Sequence, residues 1–351
     1  MPKKDIRSMT LEEIKADFSL FGEKPFRATQ VYKWVAGGAS SFDEMTNISK
    51  TLREKLDCKY FISNVAIEKK LVSKLDGTVK YLYRLHDGEY IESVVMKYEH
   101  GYSVCISTQV GCRMGCSFCA SGIDGLSRNL LPGEMLAEVM MAGKDNNIRI
   151  SNIVLMGMGE PLDNFDNVVR FLELVGDPEG LNIGMRHISL STSGVVPGIY
   201  KLAEVNLPIT LSISLHAPFD DMRTKMMKVN KKWNIAELLK ACRDYQSVTG
   251  RRISFEYAMI KGLNDTDECA AELARILKGI MCHVNLIPVN PVKENTYEKS
   301  DRKALMKFCD KLNGLHINTT VRRTLGGDIN ASCGQLRRKS TEKGGDKNEN
   351  I

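Results

Sequence analysis

Residues 105–122 read CISTQVGCRMGCSFCASG, which holds four of the chain's ten cysteines. Three of them, Cys112, Cys116 and Cys119, are spaced C-x3-C-x2-C in a stretch made pliable by Gly111 and Gly115. Thiols so close in sequence can face one centre. The fourth, Cys105, lies upstream inside the strand-like run SVCIST. Structural zinc takes four closed ligands, and Cys105, on the far side of QVG, is badly placed to be the fourth. A [4Fe-4S] cluster held by three cysteines instead leaves one iron free to hold a small molecule.

Outward from this stretch the chain alternates. Strand-like runs SVCIST, SNIVLMG, HISLSTS, ITLSISLH, RISFEYAMI and HVNLIPV are separated by helical runs GEMLAEVMMAGK, FDNVVRFLELVG, PGIYKLAEV, NIAELLKACRDYQ, DECAAELARILKGI and DRKALMKFCDKLNG. Such alternation means parallel strands joined by crossover helices. Six units build either an open doubly wound sheet or an incomplete (β/α) barrel, and INTTVRRTL can extend its edge. Upstream, TVKYLYRLHDGEYIESVVMKYE alternates around a His-Asp-Gly turn, as a hairpin does. Residues 1–60 read as helices: Leu11, Ile14, Phe18 and Phe21 fall at helical spacing. RATQVYKWVAGG can stop at its two glycines, and SFDEMTNISKTLREKL supplies two shorter helices. The expected organisation is a helical module over 1–60, a hairpin linker over 61–98, an α/β core over 99–336 and a disordered tail over 337–351. The tail, RRKSTEKGGDKNENI, has one apolar residue.

Composition narrows the chemistry. The net charge of +6 favours a polyanionic partner such as RNA. There is no long apolar run to cross a membrane, and the charged start lacks the apolar centre of a signal peptide, so a cytoplasmic protein is expected. In a reducing compartment clustered cysteines are ligands or catalysts rather than a disulfide framework. Five of the ten have packing explanations. Cys242, Cys269 and Cys309 sit on apolar helix faces, Cys282 is in phase with Val284 and Leu286, and Cys58 closes the helical module. That leaves the trio, Cys105 and Cys333. Cys333 lies in GGDINASCGQL, whose glycines allow a mobile loop.

Polar residues gather where the strands end. The second strand runs into GMGEP, whose glycines let backbone approach a ligand and whose Glu160 can accept from an ammonium. It lacks the third glycine of a dinucleotide loop. STSG places Ser191 and Ser193, SISLHAP places Ser214 and His216, and PVNP places Asn290 at the ends of later strands. Each alone is a turn residue or cap. On four units of a β/α array they mark a site at the C-terminal rim.

C-x3-C-x2-C after the first strand of a β/α repeat resembles the signature of the radical S-adenosylmethionine (SAM) enzymes, with Phe118 as the customary aromatic between the last two cysteines. The resemblance narrows over residues 10–336 to the RlmN/Cfr family of RNA methyltransferases. It is carried by GEKPFRATQVYKWV, CISTQVGCRMGCSFCAS, MGMGEPLDNF, NIGMRHISLSTSG, SLHAP, GRRISFEY, HVNLIPVNP and DINASCGQLR. It implies a partial (β/α)6 barrel of radical SAM type, a [4Fe-4S] cluster on Cys112, Cys116 and Cys119, and SAM on the free iron. Gly159, Glu160, Ser191, Ser214, Leu215, His216 and Asn290 match the family's SAM contacts.

The implied substrate carbon is C2 of an adenine in 23S rRNA and in tRNA. That carbon is not a nucleophile, so a radical is needed. The resemblance further implies that Cys333 carries a methyl group from one SAM, and that a radical from a second SAM activates it. Cys105 then resolves the protein–RNA thioether through a transient disulfide with Cys333. Glu92 matches the family's proton acceptor, although its position alone would read as a solvent-facing strand carboxylate. Also implied are an electron donor such as flavodoxin or ferredoxin, no membrane association and a monomer. CASGIDGLSRN leans toward the C8-methylating branch of the family, whereas Pro161 in GMGEP is a feature of the C2 branch. Asn330 stands where an aspartate is customary. A zinc-stabilised RNA-binding module without catalysis is the competing class.

Overall fold

The computed structural model describes residues 3–290 and 296–336. The tail expected to be disordered, 337–351, lies outside them. The helical module forms as its periodicity predicts: α1 (Leu11–Leu20), α2 (Pro25–Ala36) and α3 (Lys50–Lys59). Thr10 and Glu13 close a capping box on α1, and Pro25 opens α2 where its missing N–H costs nothing. The three helices enclose their own core of Ile6, Ile14, Phe18, Val31, Leu52 and Leu56. Cys58 is not part of it. The buried stripe of α3 is Leu52 and Leu56, and Cys58 falls off that face and is exposed.

Ten strands make one sheet. They are β1 (Ala66–Val72), β2 (Val79–Arg84), β3 (Tyr90–Tyr98), β4 (Gly101–Cys105), β5 (Ile150–Leu155), β6 (Ile188–Thr192), β7 (Thr210–Ser214), β8 (Ile253–Met259), β9 (Cys282–Pro288) and β10 (Thr319–Val321). Each lies beside its predecessor, from β1 at one edge to β10 at the other. A doubly wound sheet reverses its strand order at a switch point. Sequential order is barrel winding, so the incomplete barrel is the fold.

Strands β4 to β10 are parallel. The crossovers are carried by α4 (Pro132–Asn146), α5 (Phe165–Val175), α6 (Val196–Val205), α7 (Asp220–Met226), α8 (Ile235–Thr249), α9 (Asp267–Leu277) and α10 (Arg302–Gly314). The predicted edge run supplies β10.

The segment 61–98 differs from the expected linker. It is three antiparallel strands that continue the sheet directly from β4. β1, AIEKKLV, went unread because it is the exposed edge: nearly all its side chains face water and no alternation marks it. The sheet's core is correspondingly shared, running from Tyr81 and Val94 through Leu155 and Leu211 to Phe308. No helix among the described residues is long and apolar enough to cross a membrane.

Candidate active site

The C-terminal ends of the parallel strands surround a cavity of about 160 Å³. The loop after β4 supplies Cys112, Cys116 and Cys119 to its wall, and β5 supplies Gly157, Gly159 and Glu160. β6 adds Ser191, β7 adds Ser214 and His216, β8 adds Glu256, and the end of β9 adds Asn290. Cys333 and Arg322 complete the lining. A smaller cavity of about 40 Å³ adjoins it, sharing Met156, Asn290, Arg322 and Cys333, and is lined in addition by Cys105 and Val94. Cys333 thus borders both spaces and Cys105 only one. Leu215 and Glu92 line neither.

Local hydrogen bonds hold the cysteine loop. A short hairpin, Gln109–Gly111 against Leu126–Asn129, brackets it. The Cys112 amide donates to the Gly125 carbonyl at 3.0 Å and the Cys119 amide to Cys116 at 3.1 Å. Ser117 is tied to the Met226 carbonyl at the end of α7. Burial pushes all three thiols up, Cys112 to about 12. Among the described residues no three His, Cys, Asp or Glu side chains converge closely enough to share one metal ion.

Glu160 is wholly enclosed. Its carboxylate accepts from the Ser193 amide at 2.7 Å and the Leu162 amide at 3.1 Å, while burial raises its pKa. Gly159 holds φ +105°, and a Cβ there would sit 2.7–2.8 Å from Gln109 and Thr108. A Cβ on Gly157 would meet the Ile106 carbonyl at 2.5 Å. The glycines of GMGEP are therefore required by the backbone that crosses beside them, and both also line the cavity. His216, at φ +58°, accepts from the Ala258 amide on Nδ1 at 2.9 Å. Burial lowers its pKa to about 3, so it is a neutral imidazole with its proton on Nε2. The ring meets Phe118 edge-on at 4.8 Å. Leu215 is buried, and its backbone is engaged by Glu256 and Arg223.

Four residues of the site region escaped sequence reading. Arg223, on α7, is fully buried. Its guanidinium donates to the carbonyls of Ser193 (2.7 Å), Leu215 (3.1 Å) and Ser214 (3.1 Å) and to Asn230 Oδ1 (2.8 Å), which joins the ends of β6 and β7. Arg322 faces Cys333, Glu256, Tyr98 and Cys105, and its pKa is raised. Glu256 accepts from Ser254 and Asn285 beneath the cavity. Lys80 pairs with Glu92 at 3.0 Å, both almost completely buried, so Glu92 is not the solvent-facing carboxylate expected of its strand. A lone charged residue in a strand or helix ordinarily reads as solvent-facing, so only the fold reveals these four.

Among the cysteines, Cys242, Cys269 and Cys309 are buried as predicted and Cys282 is half-buried. All ten thiols are free, including Cys105 and Cys333. Burial and the neighbouring Cys333 push the Cys105 thiol up. The Cys333 loop is held over the site by Asn290 Nδ2, which donates to the Cys333 carbonyl at 3.1 Å, and by the Ala120 amide, which donates to Gly334 at 2.8 Å.

A sequentially wound half-barrel with a three-cysteine loop after its first parallel strand defines a radical SAM enzyme, and the Radical SAM superfamily model matches residues 106–274. A second model, the ribosomal RNA large subunit methyltransferase N-terminal domain, matches residues 4–62. Similar proteins include probable dual-specificity RNA methyltransferases RlmN. That of Alkaliphilus oremlandii is 56% identical over 97% of this chain and 99% of its own. That of Clostridioides difficile is 51% identical over 97% and 99%. A crystal structure of a radical SAM methyltransferase from Sphaerobacter thermophilus is 41% identical over 95% of this chain, with a TM-score of 0.91. The chain belongs to the RlmN family of radical SAM RNA methyltransferases.

Proposed function

We propose that this enzyme methylates C2 of adenosine 2503 in 23S rRNA and of adenosine 37 in tRNAs by way of a methylated Cys333. The observation that carries this reading is the position of Cys333. One thiol borders both the cavity with the cysteine trio and the cavity with Cys105. A methyl carrier has to meet the methyl source on one side and be released from the product on the other.

The residues present fit the implied cofactors. Three soft sulfur donors on one wall suit an iron–sulfur cluster. Cys112, Cys116 and Cys119 would hold the [4Fe-4S] cluster. Glu160, Ser191, Ser214, His216 and Asn290 would hold SAM, with Gly159 and Leu215 shaping the backbone around it. When bound, the pair supplies the methyl group and the 5'-deoxyadenosyl radical.

The chain's own groups do the rest. His216 stays neutral and offers Nε2–H as a donor. Cys333 takes the methyl group on sulfur and forms a thioether to the adenine carbon. Glu92 serves as the proton acceptor of the reaction. The Cys105 thiolate attacks the Cys333 sulfur, the sulfur–methylene bond breaks, the methylene carbon keeps the electron pair and takes a proton to become the methyl group on the base, and a Cys105–Cys333 disulfide remains. Two electrons from a donor such as flavodoxin or ferredoxin then return both thiols.

The test is nucleoside mass spectrometry of RNA treated with the reconstituted enzyme. 2-Methyladenosine is the expected product, and 8-methyladenosine or no methyladenosine rejects the assignment. Cys105→Ala should trap a covalent protein–RNA species that Cys333→Ala does not form. Normal turnover by both variants would remove the thiol roles.

A further inference from the structure

The sheet register places several unconnected residues on one face. Lys80 on β2 lies opposite Val94 on β3, and Val94 lies opposite Cys105 on β4. Residues in register across neighbouring strands point to the same side. Glu92 is two positions from Val94 on β3, so it shares that side. The loop carrying Cys333 lies over this face, with Ala331, Ser332 and Cys333 beside Val94 and Cys105 in the smaller cavity.

The Lys80 ammonium joins these parts. Nζ lies 3.0 Å from Glu92 Oε2 and donates to the Asn330 carbonyl at 3.0 Å. Lys80 and Glu92 are 8% and 6% exposed, so solvent does little to replace either partner. Asn330 precedes Cys333 by three residues and adopts φ +49°, a left-handed conformation that asparagine tolerates. That geometry turns its carbonyl toward the sheet. Nearby, the turn between β1 and β2 grips the same loop. Asp328 accepts from Ser73 Oγ at 2.6 Å and from the Lys74 amide at 2.9 Å, and the Gly326 amide donates to Asp76 at 2.9 Å. Those contacts hold the loop's start. Lys80 links its far end to the carboxylate.

We infer that Lys80 is a positioning residue that ties the Glu92 carboxylate to the Cys333 loop through one buried ammonium. It rests on the proposed roles of Glu92 and Cys333. One cation fixes both the proton acceptor and the segment that delivers the methyl-bearing sulfur, so the two are in place together. When the loop lifts, Nζ gives up the Asn330 carbonyl and retains Glu92, which makes lifting reversible. Lysine suits this work because its compact head can serve acceptors in different directions.

The test uses the full-length reconstituted protein with Lys80→Met and Lys80→Arg. Hydrogen exchange of residues 326–333 reads the loop without requiring turnover. It should quicken about tenfold in Lys80→Met and return toward wild type in Lys80→Arg. RNA product should fall about tenfold or more, while iron and sulfide bound per chain stay unchanged. Should Lys80→Met not fold, Lys80→Gln is read by the same measurements. Unchanged exchange overturns the inference, as does a loss that Lys80→Arg does not reverse or one that tracks loss of bound iron. A wild-type enzyme that neither methylates Cys333 nor makes methyladenosine would reject the proposed function instead, and the exchange result would still stand or fall by itself.

Discussion

Glu138 projects from α4 into the interior, where one carboxylate oxygen accepts from the Ser107 amide at 3.1 Å and the other has no hydrogen-bond partner among the described atoms. Burial holds its pKa well above the ordinary 4.5. The native state therefore keeps a proton that the unfolded chain loses above that value. Stability contributed by this group is full below pH 4.5 and declines as pH rises toward the folded-state value. Glu138→Gln keeps the acceptor for Ser107 and has no proton to lose. The variant should gain stability over wild type in urea unfolding at pH 8 and lose that advantage at pH 4. An advantage that does not change with pH would mean the carboxyl is not protonated in the fold. At this scale the sequence spoke clearly about cysteines, whose spacing and helical phase are local facts. It was silent about Glu138, Arg223 and Arg322, whose burial comes from elements far apart in the chain, and it misjudged Cys58 by the geometry of one helix turn.

Among the elements, α7 matters beyond its seven residues. DDMRTKM gave no sign of this, since a charged run is ordinarily a solvated face. The Arg223 fork collects the Ser193, Ser214 and Leu215 carbonyls at the ends of β6 and β7. Arg223→Met should remove a donor from each of the three buried carbonyls, leaving Leu215 only the Ala217 amide, at a cost of about 3 kcal/mol, since each loses a bond worth about 1 kcal/mol or more. Arg223→Lys, a point charge without the fork, should recover only part. Chemical denaturation measures the loss. SAM affinity, read by equilibrium dialysis, should fall with it because Ser191 and Ser214 sit on the strand ends that the arginine aligns. Full stability in Arg223→Met would show that water or relaxation satisfies the carbonyls. The strands and helices were otherwise legible because periods of two and 3.6 are written locally. The exposed edge strand β1 was not, because an edge that faces water need not alternate.

Across the whole molecule, the helical module and the half-barrel are joined by a built interface. Tyr32 on α2 donates to Asp177 at 2.8 Å, Arg170 on α5 reaches Glu13 at 2.7 Å, and the Gly133 amide at the start of α4 donates to Ser8 at 2.9 Å. Gly133 admits no side chain: a Cβ there would strike the Asp5 carboxylate and come within 3.0 Å of Arg7 Cβ. Asp5 and Arg7 are the hub of the module. Asp5 accepts from Ser63 and Ser8, and Arg7 donates to the Ser63 and Ala39 carbonyls. Sequence periodicity could mark two packed bodies but not their contact, which depends on one glycine in α4 and a loop before α1. Gly133→Ala should therefore loosen docking without emptying either core. Calorimetry is expected to show one unfolding transition for the wild type and two for Gly133→Ala, the module melting first, because each body keeps its own buried cluster. Iron bound per chain should be unchanged, since a Cβ on Gly133 meets Asp5 and Arg7 of the module and Gly133 does not line the cavity that holds Cys112, Cys116 and Cys119. RNA affinity then reports what the interface is for. A fall of about tenfold with intact cluster loading would assign the module to docking RNA at a fixed angle to the site. Unchanged affinity with two transitions would leave it as a packing cap on α4 and α5.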